Sequence, residues 1–222
     1  MSTPTDPPAD DAEALDAAES LRLIAESQRR ARTGTLPDGR LLYLVWGLAW
    51  GIGYSVLWTS SRTTGSPPTG PAFAVFFVCI AAAVAFTIVH SVTRAAGTRG
   101  RSARVGAMYG WAWTLGFVSY PLIVAGIADA GASPEIIALL ANALACLVVG
   151  MMYLAGGACF ADLRLYLLGV WILLVGGAAT LAGIPGTYLV LAGAGGGGFL
   201  LMGLVETLLR ARRRSVAGGR RG

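Results

Sequence analysis

Six apolar blocks, each close to the length of one membrane crossing, dominate this sequence. They are Leu41–Thr59, Ala72–Val92, Val105–Gly126, Ile136–Phe160, Leu165–Gly183 and Thr187–Leu209. A helix needs about 20 apolar residues to cross the hydrocarbon core of a bilayer. Only 13% of the 222 residues are charged, against about 25% in a soluble domain. The sequence therefore predicts an all-α integral membrane protein built as a six-transmembrane-helix bundle.

The segments between the blocks carry residues that begin or end helices. Ser133 precedes Pro134 and Glu135, which is typical of a capped helix start with proline in the first turn and an acid near the positive helix end. The sequence GIPGT lies between the fifth and sixth blocks and predicts a tight hairpin there.

The arginines indicate which way the helices cross the membrane. Sixteen of the seventeen basic residues lie before the odd-numbered blocks or after the even-numbered ones, and Arg62 is the exception. Arginine-rich segments stay cytoplasmic, so we expect both termini in the cytoplasm, which requires an even number of spans. Every basic residue is arginine, and alanine and glycine are abundant. This composition indicates a GC-rich bacterial genome and hence a multi-pass protein of the bacterial plasma membrane.

The chain divides into four parts. Residues 1–9 are a leader that we expect to be disordered, and residues 10–40 are a cytoplasmic or interfacial amphipathic helix with a linker. Residues 41–209 are the transmembrane domain, and residues 210–222 are an arginine-rich cytoplasmic tail. The candidates for binding anionic lipid headgroups are Arg29, Arg30, Arg32, Arg212, Arg213 and Arg214. The alternative for the amino-terminal helix is a solvated spacer, because its apolar face is mostly alanine.

One pattern occurs in both the first and the third block. GLAWGIGY at Gly47–Tyr54 and GWAWTLGF at Gly110–Phe117 share G-x-A-W-x-[IL]-G-[YF], 63 residues apart. The pattern favours three helical hairpins of the same orientation, and parallel internal repeats occur in transport proteins. The alternative is coincidence, because glycine, alanine and tryptophan are common in membrane spans.

Small residues recur four apart along several blocks, as in Gly47–Gly51–Ser55 and Gly106–Gly110–Thr114. Helices in lipid associate through close van der Waals contact, which small residues permit. The sixth block contains four consecutive glycines: Gly195, Gly196, Gly197 and Gly198. They predict a central helix with neighbours on several faces. The alternative is a hinge, or a stretch of backbone that lines the path of a solute, since broken helices mark many transporter sites.

Aromatic residues form two stripes at helical spacing. The first contains Trp46, Trp50, Tyr54 and Trp58, and the second contains Tyr109, Trp113 and Phe117. Trp50, Tyr54 and Trp113 lie too deep for an interfacial belt, so they either line a cavity for a lipophilic or cationic solute or fill space beside glycines. Asn142 is a costly polar group inside a span. We expect it to hydrogen-bond another helix, with a solute contact as the alternative.

Residues that carry chemistry are scarce. The sequence has one histidine, His90, and no C-x-x-C pair, paired carboxylates in a span or phosphate-binding loop. Glu206 stands four residues before Arg210 near the end of the last block, where we expect a simple ion pair. The sequence therefore predicts no catalytic residue, no cofactor, no metal site and no nucleic-acid binding.

Two functional classes fit these observations. The first is permeation or transport of an uncharged or lipophilic small solute. The second is a non-transporting membrane partner or accessory subunit that docks lipid or another protein through its arginine-rich cytoplasmic face. Either protein could form a homo-oligomer. A cavity near Trp50, Trp113 and Gly195–Gly198 would favour transport, whereas a solid bundle with an outer groove would favour the partner role.

Overall fold

The computed structural model describes residues 19–23, 38–65, 67–95 and 101–218, with the side chains of residues 103–212 in the last range. These residues belong to two compact units. One unit contains residues 38–89 and 101–218, and the other contains residues 19–23 and 90–95. In the second unit, residues 19–23 are helical and residues 90–95 end a helix.

The secondary structure of the described residues is entirely helical. The helices are α1 (Gly39–Thr64), α2 (Gly70–Ala95), α3 (Arg101–Asp129), α4 (Pro134–Phe160), α5 (Leu163–Val190) and α6 (Gly197–Gly218). A π-helical turn, Leu191–Gly196, joins α5 to α6. Five helical stretches in the described part of the chain are long and apolar enough to cross a membrane. The chain thus has the build of a multi-pass membrane protein, as the sequence predicts.

The fifth of these stretches, Leu163–Arg212, has 50 residues and folds back on itself. A continuous helix of that length would extend about 75 Å, more than twice the thickness of the hydrocarbon core. The helix is interrupted at Gly183, whose φ of 64° favours glycine, and at Ile184, which is extended. The stretch therefore consists of two membrane-length arms, which explains why six apolar blocks give five stretches.

Hydrogen bonds between the two arms show that they are antiparallel. The Thr187 hydroxyl donates to the carbonyl oxygen of Ala179 at 2.7 Å. Further from the bend, the Trp171 indole nitrogen donates to the carbonyl oxygen of Ala194 at 2.9 Å. The tight hairpin predicted at GIPGT is confirmed.

Side-chain caps begin three of the helices. Ser133 accepts a hydrogen bond from the Ile136 amide with Pro134 in the first turn, so the predicted start of α4 is confirmed. Asp162 caps α5, and Asp38 caps α1. Because each cap satisfies backbone donors that have no partner within the helix, it fixes where the helix starts.

Helix α6 is antiparallel to α1, and α5 is antiparallel to α4. A Cβ on Gly47 would meet Leu200, and a Cβ on Gly203 would meet Leu44, so residue numbers rise along α1 as they fall along α6. The same order holds for α4 with α5, where Gly157 meets Tyr166 and Gly176 meets Cys146. Consequently, one end of the bundle contains the start of α1, the start of α5 and the end of α6. We call it the arginine end. The side of the membrane on which either terminus lies stays a prediction, as does the three-hairpin repeat.

Large apolar side chains lie both inside the bundle and on its outer surface. The buried set is Tyr43, Trp50, Tyr54, Leu57, Leu168, Ile172, Tyr188, Leu191 and Phe199. Leu181 and Trp111 are among the outward residues, with 91% and 66% of their surface exposed. An apolar outer surface of this kind requires lipid rather than water around it.

Gly196 and Gly197 offer a matched test of how the last helix packs. A Cβ on Gly196 would lie 2.8 Å from the Gly51 amide nitrogen and 3.0 Å from the Gly47 carbonyl oxygen, whereas a Cβ on Gly197 would meet no described atom within 4 Å. Backbone cannot move aside, so we expect Gly196→Ala to lower the free energy of unfolding by about 1–3 kcal/mol. Gly197→Ala should be neutral or stabilising by up to about 1 kcal/mol. Thermal unfolding in detergent measures both, and equal midpoints would contradict this packing.

Candidate functional site

A continuous series of aromatic contacts joins the two stripes predicted from the sequence. Trp50 is buried and lies edge-on to Phe199, with ring centroids 5.5 Å apart. Phe199 contacts Tyr153 at 5.8 Å, and Tyr153 contacts Trp113 at 5.9 Å. The sequence predicted the stripes but missed Phe199 and Tyr153, which connect them.

The aromatic series extends outward from Trp50 and Trp113 in both directions. Tyr54, buried beside Trp50, contacts Phe76 of α2 with centroids 4.9 Å apart. Trp113 stacks on Phe117 at 6.0 Å. Such aromatic pairs stabilise by about 0.5–1.5 kcal/mol beyond the burial of their area. Of the two interpretations drawn from the sequence, these contacts favour rings that fill space.

Three of the four consecutive glycines face another helix. A Cβ on Gly195 would lie 2.7 Å from the Trp50 ring, and Gly196 contacts the backbone of α1 as described above. A Cβ on Gly198 would overlap the Trp171 indole of α5. The glycine run therefore packs against α1 on one side and α5 on the other. Of these four glycines, only Gly197 has no described atom within 4 Å of the position of a Cβ.

The π-helical turn is where Trp171 bonds to the last helix. Its indole nitrogen donates to the Ala194 carbonyl oxygen, inside the turn, and the indole occupies the space left by the missing side chain of Gly198. π-helical turns are uncommon and are frequent at functional sites. The sequence did not single out Trp171 for this role, because residues 171 and 194 are related only through the hairpin.

Asn142 behaves differently from the expectation. Its amide nitrogen donates to the carbonyl oxygen of Ala138 at 2.7 Å, one turn earlier in α4, and not to another helix as predicted. A short polar side chain such as that of asparagine can reach the carbonyl oxygen four residues earlier in its own helix. Asn142 therefore gains a partner without a neighbouring helix, and its predicted solute contact stays a prediction.

Five charged side chains form a network at the arginine end. Glu206 accepts a hydrogen bond from Arg210 at 3.0 Å and another from Arg164 at the start of α5. Arg210 also reaches the Asp38 carboxylate at 3.4 Å, and Arg40 donates to Asp38 at 2.7 Å. The predicted pair of Glu206 and Arg210 is confirmed, and the network extends it to join α1, α5 and α6.

The carboxylates and the guanidiniums of this network differ in exposure. The side chains of Asp38 and Glu206 are 13% and 14% exposed, and those of the three arginines are 30–41% exposed. Hydrogen bonds from the Arg40 guanidinium lower the pKa of Asp38 to about 2, against a smaller opposing effect of burial. The two carboxylates of the network are therefore less exposed than the three guanidiniums that pair with them.

None of the arginines predicted to bind lipid headgroups belongs to the five residues of this network. Arg29, Arg30 and Arg32, together with the side chains of Arg213 and Arg214, lie outside the described residues. Arg212 is exposed near the end of α6, two residues after Arg210. Lipid binding by these arginines stays a prediction.

An open groove lies between α1 and α2 at the end of the bundle opposite to the arginine end. It has a volume of about 480 Å³ and is lined by Ser55, Val56, Thr59, Ser60, Thr63, Thr69, Pro71, Ala72 and Val75. Hydroxyl groups lie along α1, and Ser60 bonds to both the amide and the hydroxyl of Thr69. Trp50 and the glycine run are not among the residues of this groove, so it is separate from the centre of the bundle.

The low pKa of Asp38 predicts how the stability of the bundle changes with pH. Its folded pKa of about 2 lies below its ordinary value of 3.8, so the stabilisation is present above pH 4–5 and is lost as the pH falls towards 2. We expect a loss of about 1 kcal/mol after allowance for screening.

The thermal midpoint measured between pH 7 and pH 2.5 checks this expectation. The Asp38→Asn variant should be less stable at pH 7 and should lose less on acidification than the unaltered protein does. Asp129→Asn, at the opposite end of the bundle, serves as the control and should keep the normal pH dependence. A normal pH dependence in Asp38→Asn would show that Asp38 does not stabilise the bundle.

Comparison with known proteins adds no assignment to this geometry. Among the described residues, no three His, Cys, Asp or Glu side chains lie together in a way that could hold a metal ion. Cys79, Cys146 and Cys159 have free thiols. The chain matches no family model, no curated protein and no solved structure.

Proposed function

We propose that this protein is a non-transporting accessory protein of the membrane that binds anionic lipid headgroups at its arginine end. The observation that carries the proposal is the cluster of charge there, where three partly exposed arginines outnumber two less exposed carboxylates. The filled centre of the bundle supports the same role. Buried Trp50 of α1 packs against Gly195 and Phe199, which are also buried. These residues fill the centre of the bundle, where a transport path would need open space.

Arginine suits this role chemically. Its planar guanidinium offers several donors to a phosphate, and it stays charged at all physiological pH values. Basic residues near an anionic membrane surface contribute about 1 kcal/mol each. Arg212, Arg213 and Arg214 follow Arg210 closely in the sequence and add three more positive charges. In a bacterial plasma membrane with both termini cytoplasmic, these charges would meet the anionic inner leaflet.

Transport of an uncharged or lipophilic small solute is the second candidate. It is favoured by two interruptions in the last 50-residue stretch, the bend at Gly183–Ile184 and the π-helical turn at Leu191–Gly196. Interrupted helices expose backbone groups that hold substrates in many transporters. The two candidates differ in whether the protein accelerates solute flux.

A flux assay separates the two candidates. The purified protein is reconstituted in liposomes of phosphatidylethanolamine and phosphatidylglycerol, and the influx of glycerol, urea and a lipophilic amine is followed by stopped-flow light scattering. We expect rates equal to those of protein-free liposomes, because the centre is packed. Liposomes that contain a glycerol channel are the positive control. A rate that rises with the amount of protein would establish the transport candidate instead.

A stability assay tests lipid binding directly. We expect phosphatidylglycerol, but not phosphatidylcholine, to raise the unfolding free energy by about 2–3 kcal/mol at hundredfold excess over its dissociation constant. The combined variant Arg212→Gln, Arg213→Gln, Arg214→Gln should lose most of this gain. Arg62→Gln, which removes an arginine at the opposite end, is the matched control and should keep it. Equal stabilisation by both lipids would contradict the proposal.

A further inference from the structure

Each guanidinium of the charge network already has a carboxylate partner. The Nε of Arg40 lies 3.1 Å from one carboxylate oxygen of Asp38, and its Nη2 lies 2.7 Å from the other. Arg210 bonds to Glu206 through its Nε at 3.0 Å and also reaches Asp38 at 3.4 Å. Arg164 bonds to the second oxygen of Glu206. Positive and negative groups therefore alternate along the network, and every arginine in it is paired.

The carboxylates occupy the donors that a lipid phosphate would use. A guanidinium binds a carboxylate or a phosphate most strongly through two parallel N–H groups, and Arg40 directs such a pair at Asp38. A phosphate that approached Arg40 in this way would have to displace the carboxylate. Arg210 is engaged by both Glu206 and Asp38, so binding a phosphate there requires the same exchange.

The carboxylates compete from fixed positions. Asp38 is two residues from Arg40, and Glu206 is one helical turn from Arg210. A group tethered beside its partner binds without the loss of freedom that a diffusing ligand incurs. The arginines, in contrast, are the more exposed members of the network and are within reach of a ligand.

We propose that Asp38 and Glu206 are internal competitors of lipid phosphate, and that their contacts hold the arginine end in a state of low affinity for anionic lipid. This inference rests on the proposed function, because it concerns the regulation of the same site. A phosphate gains Arg40 or Arg210 only by exchange with a carboxylate. At Arg210 this exchange also loosens the contact between the start of α1 and the end of α6.

Lipid binding by variants that lack one carboxylate tests the competition. The full chain is purified in a neutral detergent, and native mass spectrometry measures the fraction that carries phosphatidylglycerol or phosphatidylcholine as each lipid is titrated. We expect Asp38→Asn to bind phosphatidylglycerol about fivefold more tightly than the unaltered protein, which is the effect of one further basic residue near an anionic surface. Asparagine caps a helix as well as aspartate does, so α1 keeps its start.

A second carboxylate variant and a matched control accompany Asp38→Asn. Glu206→Gln frees donors of Arg164 and Arg210 and should tighten phosphatidylglycerol binding in the same way. Asp162→Asn removes an equal charge at the same end, but the exposed Asp162 carboxylate accepts hydrogen bonds from backbone amides and is not part of the network. It should change the affinity by no more than about twofold, because exposed charges that are not in contact are screened. None of the three variants should bind phosphatidylcholine more tightly.

The direction of the change separates competition from structural support. If the carboxylates only held the helices together, Asp38→Asn and Glu206→Gln would have lower thermal midpoints and would bind phosphatidylglycerol no more tightly than the unaltered protein. That result, or equal affinities in these two variants and Asp162→Asn, would overturn the competition while the unaltered protein still bound the lipid. Failure of all four proteins to prefer phosphatidylglycerol over phosphatidylcholine would overturn the proposed function as well.

Discussion

The close approach of two helix backbones, at Gly47 and Gly51 of α1 and at Gly196 of the π-helical turn before α6, determines much of this structure. Without side chains between them, the two helices come near enough for Phe199 to pack on Trp50. The same approach carries the end of α6 to the start of α1, where Arg210 meets Asp38. In lipid, where burial of apolar surface gives helices little reason to associate, such contact is the main source of attraction.

Features of the fold that depend on local sequence were predicted. The apolar blocks locate the helices, Ser133 marks the start of α4, and GIPGT marks the bend, because each follows from a few consecutive residues. The π-helical turn could not be predicted in the same way. It depends on the fit of the glycine run against Trp50 on one side and Trp171 on the other, which exists only once three helices have assembled.

In the candidate sites, too, the features set by local sequence were predicted and those set by distant contacts were not. The aromatic stripes and the glycine run are visible as spacings within one helix. Phe199 instead contacts Trp50, 149 residues away, and Tyr153 contacts Trp113, 40 residues away. Asp38 meets Arg210 across 172 residues, so no local pattern points to it. For Asn142 the error was the opposite, because the predicted hydrogen bond to another helix is replaced by a local one. The expectation assumed a distant partner where a carbonyl of the same helix was sufficient.

The contact between the first helix and the last has a consequence for biosynthesis. Gly196 leaves the ribosome about 150 residues after Gly47, a delay of roughly ten to thirty seconds at usual elongation rates. During that interval the surface of α1 that will receive the last helix is already in the bilayer, with its glycines and Trp50 uncovered. The nascent chain therefore needs either lipid or an insertion factor to shield this surface until translation is almost complete.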